Sequence, residues 1–516
     1  MFETRDNTME SLDRIGFDNE KYLQEQTTAI LERVSRFNDK LYLEFGGKIL
    51  YDYHASRVLP GFAYNVKMRL LQKLKDQVEV IMCIYAGDIE RNKIRADFGI
   101  TYDVDVLKSI DDMKWYGIKV AAVVITRYEK QPAADIFKNK LEMKGINVYL
   151  HYPTRGYPQN IDLIVSDEGY GSNSYIKTTK PIVVITGPGP GSGKLATALS
   201  NLYHDFKRGV NSGYAKFETF PIWDLPIDHK VNIAYEAATA DLGDVNSIDP
   251  YHLQAYGIEA VSYNRDIEAF KLLKAILNKI TGDERVYQSP TDMGVNRISA
   301  GIIDDGICSQ AAYQEIIRRH LRSFVDYASG QIDQDALERY AQIMDKVGAR
   351  DEDRRVVEPA RKAAEIAQSE GKGYKGVYCG AAIELKDGTI ITGKNSDLLH
   401  ASSAMILNAI KQLAGLPDNM ILLPENIIDS VTHLKKEILD GKNTSLDVEE
   451  TLIALAISAT SNPAAQMAVQ KLTELNNCEM HSTHIPTQGD EAGMRKLKIN
   501  VTSDPLFSGK RLFVSE

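Results

Sequence analysis

The sequence predicts an α/β protein: a mostly parallel sheet in a three-layer domain, then a helical middle region, then a smaller α/β domain. Three observations carry this expectation. Up to Leu225, short β-branched runs alternate with helical stretches. Those runs are apolar at consecutive positions, which suits strands covered by helices on both faces. Beyond Lys230 the helical period dominates until Asp387-Gly388, a dipeptide that tolerates the positive φ of a two-residue hairpin turn.

Taken in order, Leu41–Tyr51 is apolar on both sides of Gly46-Gly47 and predicts a short hairpin. Val78–Tyr85 predicts a strand ended by Ala86-Gly87-Asp88, and Lys119–Thr126 a β-branched second one. A helix is expected over Ala133–Lys144, and short strands at Asn147–His151 and Ile161–Ser166. Pro181–Thr186 predicts a strand that runs into a glycine-proline loop and then a helix, Leu195–Lys207. Helical periodicity marks much of Lys230–Lys279, then Gln310–Tyr327, Gln334–Val347 and Val356–Gln368. Gly371-Lys372-Gly373-Tyr374-Lys375-Gly376 reads as a linker. Val377–Leu385 and Thr389–Thr392 form the hairpin, and a helix follows over His400–Leu413. This divides the chain into an α/β domain (1–290), a helical region (291–372) and a C-terminal domain (373–516).

Lys and Arg number 61 against 71 Asp and Glu, a net charge of −10. That balance speaks against a nucleic-acid partner or an anionic membrane surface, and leaves room for a small basic pocket. Hydrophobic content of 43% is too high for a disordered chain. Cys83, Cys308, Cys379 and Cys478 lie far apart with no C-x-x-C pair, which argues against a disulfide framework and a cysteine-rich zinc site. The polar, acidic start lacks the apolar core of a secretory signal, and no run approaches the ~18 apolar residues of a membrane span. A cytoplasmic protein is expected; self-association into a homo-oligomer stays open.

The most informative stretch is Val183-Val184-Ile185-Thr186-Gly187-Pro188-Gly189-Pro190-Gly191-Ser192-Gly193-Lys194. Glycines let backbone N–H groups approach an anion, a helix N-terminus adds partial positive charge, and Lys194 adds a full one. The loop resembles the phosphate-binding loop of P-loop nucleotide hydrolases and kinases, with departures. Pro188 stands where that pattern has its first glycine, and Leu195 replaces the hydroxyl that binds Mg²⁺, so Thr197 or Ser192 would have to serve. The resemblance implies a phosphate held by Gly187, Gly189, Gly191, Ser192, Gly193 and Lys194, with a nucleotide and Mg²⁺ as the implied cofactors. Parallel sheets bind ligands beyond the carboxyl ends of their strands. Asp88, Arg91, Arg127, Arg155, Asp167 and Glu168 all follow predicted strands, so Arg91, Arg127, Arg155 and Lys194 would converge into a positive pocket. The alternative is a tight strand-to-helix turn with solvated charges around it.

After the loop, Asn232, Glu236 and Thr239 share one helical face and Ile233, Ala237 and Ala240 another, the pattern of a surface helix. Carboxylates nearby make Asp228, Glu236 and Asp241 candidates for a metal or general-base role, although Asp228 also sits where an N-cap belongs. Ser289–Asn296 reads as an uncovered polar loop whose Thr291, Asp292 and Asn296 can reach a ligand. Cys308 either heads a helix with a lowered pKa or is a buried structural thiol.

The C-terminal hairpin Cys379–Ser396 followed by His400-Ala401-Ser402-Ser403-Ala404 resembles the cytidine-deaminase-like fold. In that family the histidine binds zinc and a glutamate moves protons. Here Ser402 replaces the glutamate, and Pro463-Ala464-Ala465-Gln466 is the nearest match to the family's Pro-Cys-x-x-Cys. The resemblance implies the fold without zinc or the deamination. His481 and His484 lie three apart on an expected strand and face opposite sides. The loop, Tyr235–Asp241 and Ser289–Asn296 together resemble, end to end, an uncharacterised bacterial family of unknown function. Two readings follow. In one, the protein binds a nucleotide or phosphorylated metabolite at the rim and transfers a phosphoryl or related group, with Arg127 and Arg155 neutralising charge. In the other it is a non-catalytic ligand-binding, sensor or assembly protein.

Overall fold

The computed structural model describes residues 15–37, 40–95, 99–218, 220–284, 286–441 and 443–509. The described residues divide into two compact units, 15–312 and 313–509. The expected helical region 291–372 therefore contributes to both.

In the first unit the order is α1 (Asn19–Ser35), β1 (Lys40–Phe45), β2 (Val78–Tyr85), α2 (Tyr102–Trp115), β3 (Lys119–Thr126), α3 (Pro132–Met143), β4 (Val148–Leu150), β5 (Ile182–Thr186), α4 (Lys194–Lys207), β6 (Ser212–Phe217), α5 (Lys230–Ala238) and α6 (Asn264–Thr281). The six strands form one sheet in the order β4-β3-β2-β5-β1-β6, every neighbouring pair parallel. Consecutive apolar runs make these strands because both sheet faces are covered. Ile81 and Cys83 of β2 and Val183 and Ile185 of β5 pack with Ala198, Leu199 and Leu202 of α4 and with Phe270 and Leu277 of α6. The alternate residues Met82 and Thr186 point to the other face, beside Met113 of α2. So β2 and β5 are neighbours whose following helices lie on opposite faces. That is the topological switch point at which open α/β sheets form a crevice.

Two expectations are corrected. Leu41–Tyr51 is not a hairpin. β1 ends at Phe45 and lies between β5 and β6, parallel to both, with all six of its residues buried. A central strand has no free edge for a hairpin partner, and Gly46-Gly47 ends the strand without reversing it. Ile161–Ser166 is not a strand either. Asn160 accepts a hydrogen bond from the Leu163 amide at 3.0 Å and caps a helical turn, Ile161–Ile164. Short apolar runs do not distinguish the two states by periodicity.

The second unit continues from α7 (Asp305–Ala328), in which the division falls, through α8 (Gln334–Val347), α9 (Val357–Ser369), β7 (Gly380–Glu384), β8 (Ile390–Lys394), α10 (Ala401–Leu413), α11 (Val448–Ser458), α12 (Pro463–Val469), β9 (Glu479–Ser482), α13 (Gln488–Lys496) and β10 (Asn500–Ser503). Its mixed sheet runs β8-β7-β9-β10, antiparallel except for the parallel β9–β10 pair. The hairpin at Asp387-Gly388 is present, with Gly388 at φ +83°. Among the described residues no helix is long and apolar enough to cross a membrane.

Candidate functional site

β5 delivers the chain into the glycine-proline loop at the switch point. Gly191 (φ +73°) and Gly193 (φ +88°) take left-handed backbone, and Gly193 is the N-cap of α4. The end of β3 pins the loop. Thr126 Oγ1 donates to the Ser192 carbonyl at 2.8 Å, and Arg127 Nη2 donates to the Gly191 carbonyl at 2.5 Å. The Arg127 guanidinium also lies 3.4 Å from the centre of the Tyr85 ring. Among the described residues, no protein acceptor takes the amides of Gly189, Gly191, Gly193 or Lys194, and Lys194 Nζ has no hydrogen-bond or ion-pair partner. Ser192 Oγ is buried and unpaired. Four amides, an ammonium and a hydroxyl are thus left without protein partners at the start of a helix of 14 residues. Such an arrangement can hold an anion.

The rest of the expected pocket does not form. Arg91 Nη2 is bonded to Asp88. Arg155 pairs with Glu168 at 3.6 Å, both side chains 71% exposed, so its charge is matched in solvent. Asp167 accepts from Lys207 Nζ and Tyr203 OH, each at 2.8 Å. Arg127 and Lys194 are the cations brought to the loop. Thr197 cannot stand in as a metal hydroxyl. It is fully buried beneath the loop and accepts from Cys83 Sγ at 3.4 Å, and burial pushes the Cys83 thiol up to about 12. Among the described residues no group of three or more His, Cys, Asp or Glu side chains is arranged to hold a metal ion.

Asp228 and Asp241 are exposed, one before α5 and one after it, whereas Glu236 is buried within it. The nine residues of α5 hold its ends about 13 Å apart, so Asp228 and Asp241 share no site. α5 is not a surface helix, since every residue from Val231 to Ala237 is buried. Its N-cap is His229, whose Nδ1 accepts from the Val231 amide at 3.2 Å and whose Nε2 bonds Asp305 at 2.8 Å. Asn232 fits inside because its amide group bonds both the N–H and the C=O of Ile222, at 2.8 and 3.1 Å. Ser289–Asn296 is likewise not an open loop. Ser289 caps a short helix, Pro290–Met293, Thr291 Oγ1 donates to Asp249 at 2.7 Å, and Asn296 Oδ1 accepts from the Ile298 amide at 2.8 Å. Cys308 is buried, donates to the Gly16 carbonyl at 3.4 Å, and burial, with the charges of Asp305 and Asp304, pushes its thiol up to about 12. It is the structural thiol of the two alternatives.

Sequence reasoning missed one group. Asp105, Lys108, Ser109 and Asp112 stand at i, i+3, i+4 and i+7 on α2, one face of a helix packed on the sheet, and that face lines a cleft next to Gly187 and Pro188. The available signal was the i, i+3, i+4, i+7 spacing of these polar residues, in a stretch for which no helix was expected.

In the second unit, the partner of His400 is not the Pro463 segment. α12 begins on an Asn462 cap and carries alanines there. His400 is itself the N-cap of α10, and its Nδ1 bonds Asp490 Oδ2 at 2.7 Å, the carboxylate coming from the first turn of α13. Asp490 also accepts from Thr487 Oγ1 (2.9 Å) and the Val448 amide (3.1 Å). Asn443 Nδ2 meets His400 Nε2 at 3.0 Å. The Asp490 carboxylate, bonded to the His400 ring and to the Val448 backbone amide, therefore ties the starts of α10, α11 and α13 together. Burial disfavours a charged ring, but the bond to Asp490 and the charges of Asp490 and Asp447 outweigh it, and His400 titrates above its ordinary value. A raised folded pKa gives stability that is complete below the unfolded value of about 6.5 and is lost as pH rises through the folded value. The melting temperature of this unit is accordingly expected to fall as pH rises above about 6.5, and to fall less in His400→Gln. Calorimetry checks this; equal slopes in both proteins would refute it.

What the fold and the site define is a class: an α/β unit with helices on both sheet faces and a glycine-rich strand-to-helix loop, followed by an α/β unit with a mixed sheet. Comparison with known proteins makes it particular. The family described as "Domain of unknown function DUF1846, N-terminal" matches residues 15–348, and its C-terminal counterpart matches residues 352–513. The chain belongs to this family. It is 56% identical over 501 residues to a UPF0371 protein of Clostridium botulinum (strain ATCC 19397 / Type A), covering 97% of this chain and 99% of the relative. A UPF0371 protein of Clostridium tetani is 55% identical over the same shares. One from Clostridioides difficile is 54% identical over 503 residues, 97% of this chain and 100% of the relative. The end-to-end membership of an uncharacterised bacterial family, expected from the loop and its two companion motifs, is borne out.

Proposed function

We propose that the loop Gly187–Lys194 binds the phosphoryl group of a nucleotide or small phosphorylated metabolite. The observation that carries this reading is Lys194: its ammonium has no partner among the described residues, and its own amide is one of the unpaired amides that open α4. Loop amides and the helix terminus hold the anion, Lys194 supplies a full positive charge, and Arg127 fixes the loop through Gly191. The position at a switch point supports the same site on topological grounds. Between phosphoryl transfer and binding alone, the placement of Asp228 and Asp241 in solvent at opposite ends of α5, with Glu236 buried between them, favours binding, so no proton transfer is assigned to them.

Inorganic phosphate, AMP and ATP, each followed by thermal shift on wild type and Lys194→Met, test the reading. At about 100 times Kd the best of them is expected to raise the wild-type melting temperature by about 4 °C or more. In Lys194→Met the rise is expected to fall by at least half. No rise with any of the three, or the same rise in both proteins, would overturn the reading.

A further inference from the structure

We propose that the outward face of α11 is a self-association surface, and that its occupant is a second copy of this chain. The sequence sets this segment apart. Residues 451–470 hold no Asp, Glu, Lys, Arg or His, whereas in a chain that is 26% charged a segment of that length carries about five charges on average. α11 beyond its first turn, and the whole of α12, fall within it. A helix that is apolar all round is normally buried on every side. α11 is not. Val448, Thr451, Ala454, Leu455 and Ser458 are buried, whereas Ile453, Ala456 and Ile457 are exposed, Ile453 by 62% and Ile457 by 50%. Those three stand at i, i+3 and i+4, on one face of the helix.

The chain before α11 widens this face. Ser458 Oγ donates to the Leu422 carbonyl at 2.6 Å and Asn462 Nδ2 to the Ile421 carbonyl at 2.9 Å, which sets Ile421, 68% exposed, against the end of α11. At the other end Lys435 Nζ donates to Glu450 Oε2 at 2.7 Å. The helix Glu425–His433 and the π-helical turn Leu434–Ile438 that continues it therefore run antiparallel beside α11, and Leu434, Ile438 and Leu439 are exposed alongside its first turns. With Ile421, Ile453 and Ile457 they present on the order of 400 Å² of apolar surface, at about 100–120 Å² for a whole aliphatic side chain. A standard interface takes about 800 Å² from each partner, a little over half of it apolar. The face is therefore of the size that a stable dimer buries.

The charges around the face favour a second copy as its occupant. Glu449 is bonded to Lys496, Glu450 to Lys435 and Lys436 to Glu437. These charges are matched in pairs within the same unit, so they offer no excess of either sign to a nucleic acid, an anionic membrane or a charged peptide. A second copy needs none. In a two-fold arrangement the uncharged stripe of one α11 lies against the same stripe of the other, as a self-complementary interface requires. Ala456, between Ile453 and Ile457, lets the two helices approach closely.

Sedimentation equilibrium of the full chain, from about 1 to about 100 µM, tests the inference on wild type, Ile453→Glu, Ile457→Glu, the milder double variant Ile453→Ser with Ile457→Ser, and Met143→Glu. Met143 is a control, 89% exposed on α3 of the first unit. Wild type is expected to be a dimer over that range. Each glutamate variant is expected to weaken association at least about a hundredfold, because two-fold symmetry places every substitution in the interface twice. The serine pair is expected to weaken it at least about tenfold, and Met143→Glu to leave it unchanged. Ile453 and Ile457 are exposed in the single chain, so the far-ultraviolet circular dichroism of each variant is expected to match wild type; if a glutamate variant departs from it, the serine pair decides. A wild-type monomer at about 100 µM overturns the inference. So does a dimer that survives both glutamate variants and the serine pair, and so does an equal loss in Met143→Glu.

Discussion

Replacing Arg354 with leucine is expected to destabilise the second unit by about 2–4 kcal/mol, read as a fall in denaturant midpoint. Arg354 is 1% exposed and every nitrogen of its guanidinium is engaged. Nε donates to Thr502 Oγ1 at 3.0 Å, Nη1 to Glu479 at 2.6 Å, and Nη2 to the Met480 and Asn500 carbonyls, both at 3.1 Å. Those acceptors lie on β9 and β10. A parallel pair has no tight turn to hold its register, so a planar fork bridging both strands supplies a constraint that the connection through α13 does not. Leucine restores most of the packing and strands the acceptors. Glu479 is one-third exposed and regains water, so most of the loss comes from the two carbonyls and Thr502. Arg354→Lys keeps the charge but reaches fewer acceptors, and is expected to lose about half as much. A leucine variant within about 1 kcal/mol of wild type would show that the fork adds nothing.

How much of this was legible depends on whether polarity tracks exposure. β2, β3 and β5 were readable because Val78–Tyr85, Lys119–Thr126 and Ile182–Thr186 are β-branched and buried on both faces, so local pattern and final environment agree. The position of β1 was not readable, since its partners Ile182–Ile185 and Ser212–Phe217 are remote in sequence and the glycines after it signal a turn regardless. α5 misled for a different reason. Asn232 and Glu236 look like a solvent face, yet Asn232 bonds Ile222 and its own carbonyl accepts from Asn246 Nδ2 at 2.9 Å, so polar groups are satisfied inside. The site divides the same way. The glycine loop announces itself because its chemistry is contiguous, whereas the Arg155–Glu168 pair and the bond from His400 to Asp490 depend on loops and helices whose meeting no local signal specifies. The α2 stripe lies between these cases: its spacing is local, but its meaning needs the sheet beneath it.

The loop itself is expected to tolerate no side chain at Gly193. A Cβ there stands 2.7 Å from both Cγ2 and Oγ1 of Thr126, and the residue holds φ +88°. The left-handed backbone alone costs an alanine about 1–2 kcal/mol, and the overlap adds a comparable amount, so Gly193→Ala is expected to lose about 2–4 kcal/mol. The overlap includes Thr126 Cβ at 2.8 Å, so it is relieved only when the loop and the end of β3 move apart, which breaks the bond from Thr126 to the Ser192 carbonyl and frees the loop at the point where β3 pins it. Phosphate affinity is therefore expected to fall with stability, since the amides lose their fixed direction. The two costs separate in a double-mutant cycle. Thr126→Gly removes all three atoms that the new Cβ meets, Cγ2, Oγ1 and Cβ, so Gly193→Ala in that background is expected to lose about 1 kcal/mol less than in wild type, retaining the backbone term. Additive losses would mean that the steric contact is absent and that Gly193 is required for its backbone alone. Near-complete rescue would mean the reverse, with the loop free to leave the left-handed conformation when Thr126 no longer blocks it.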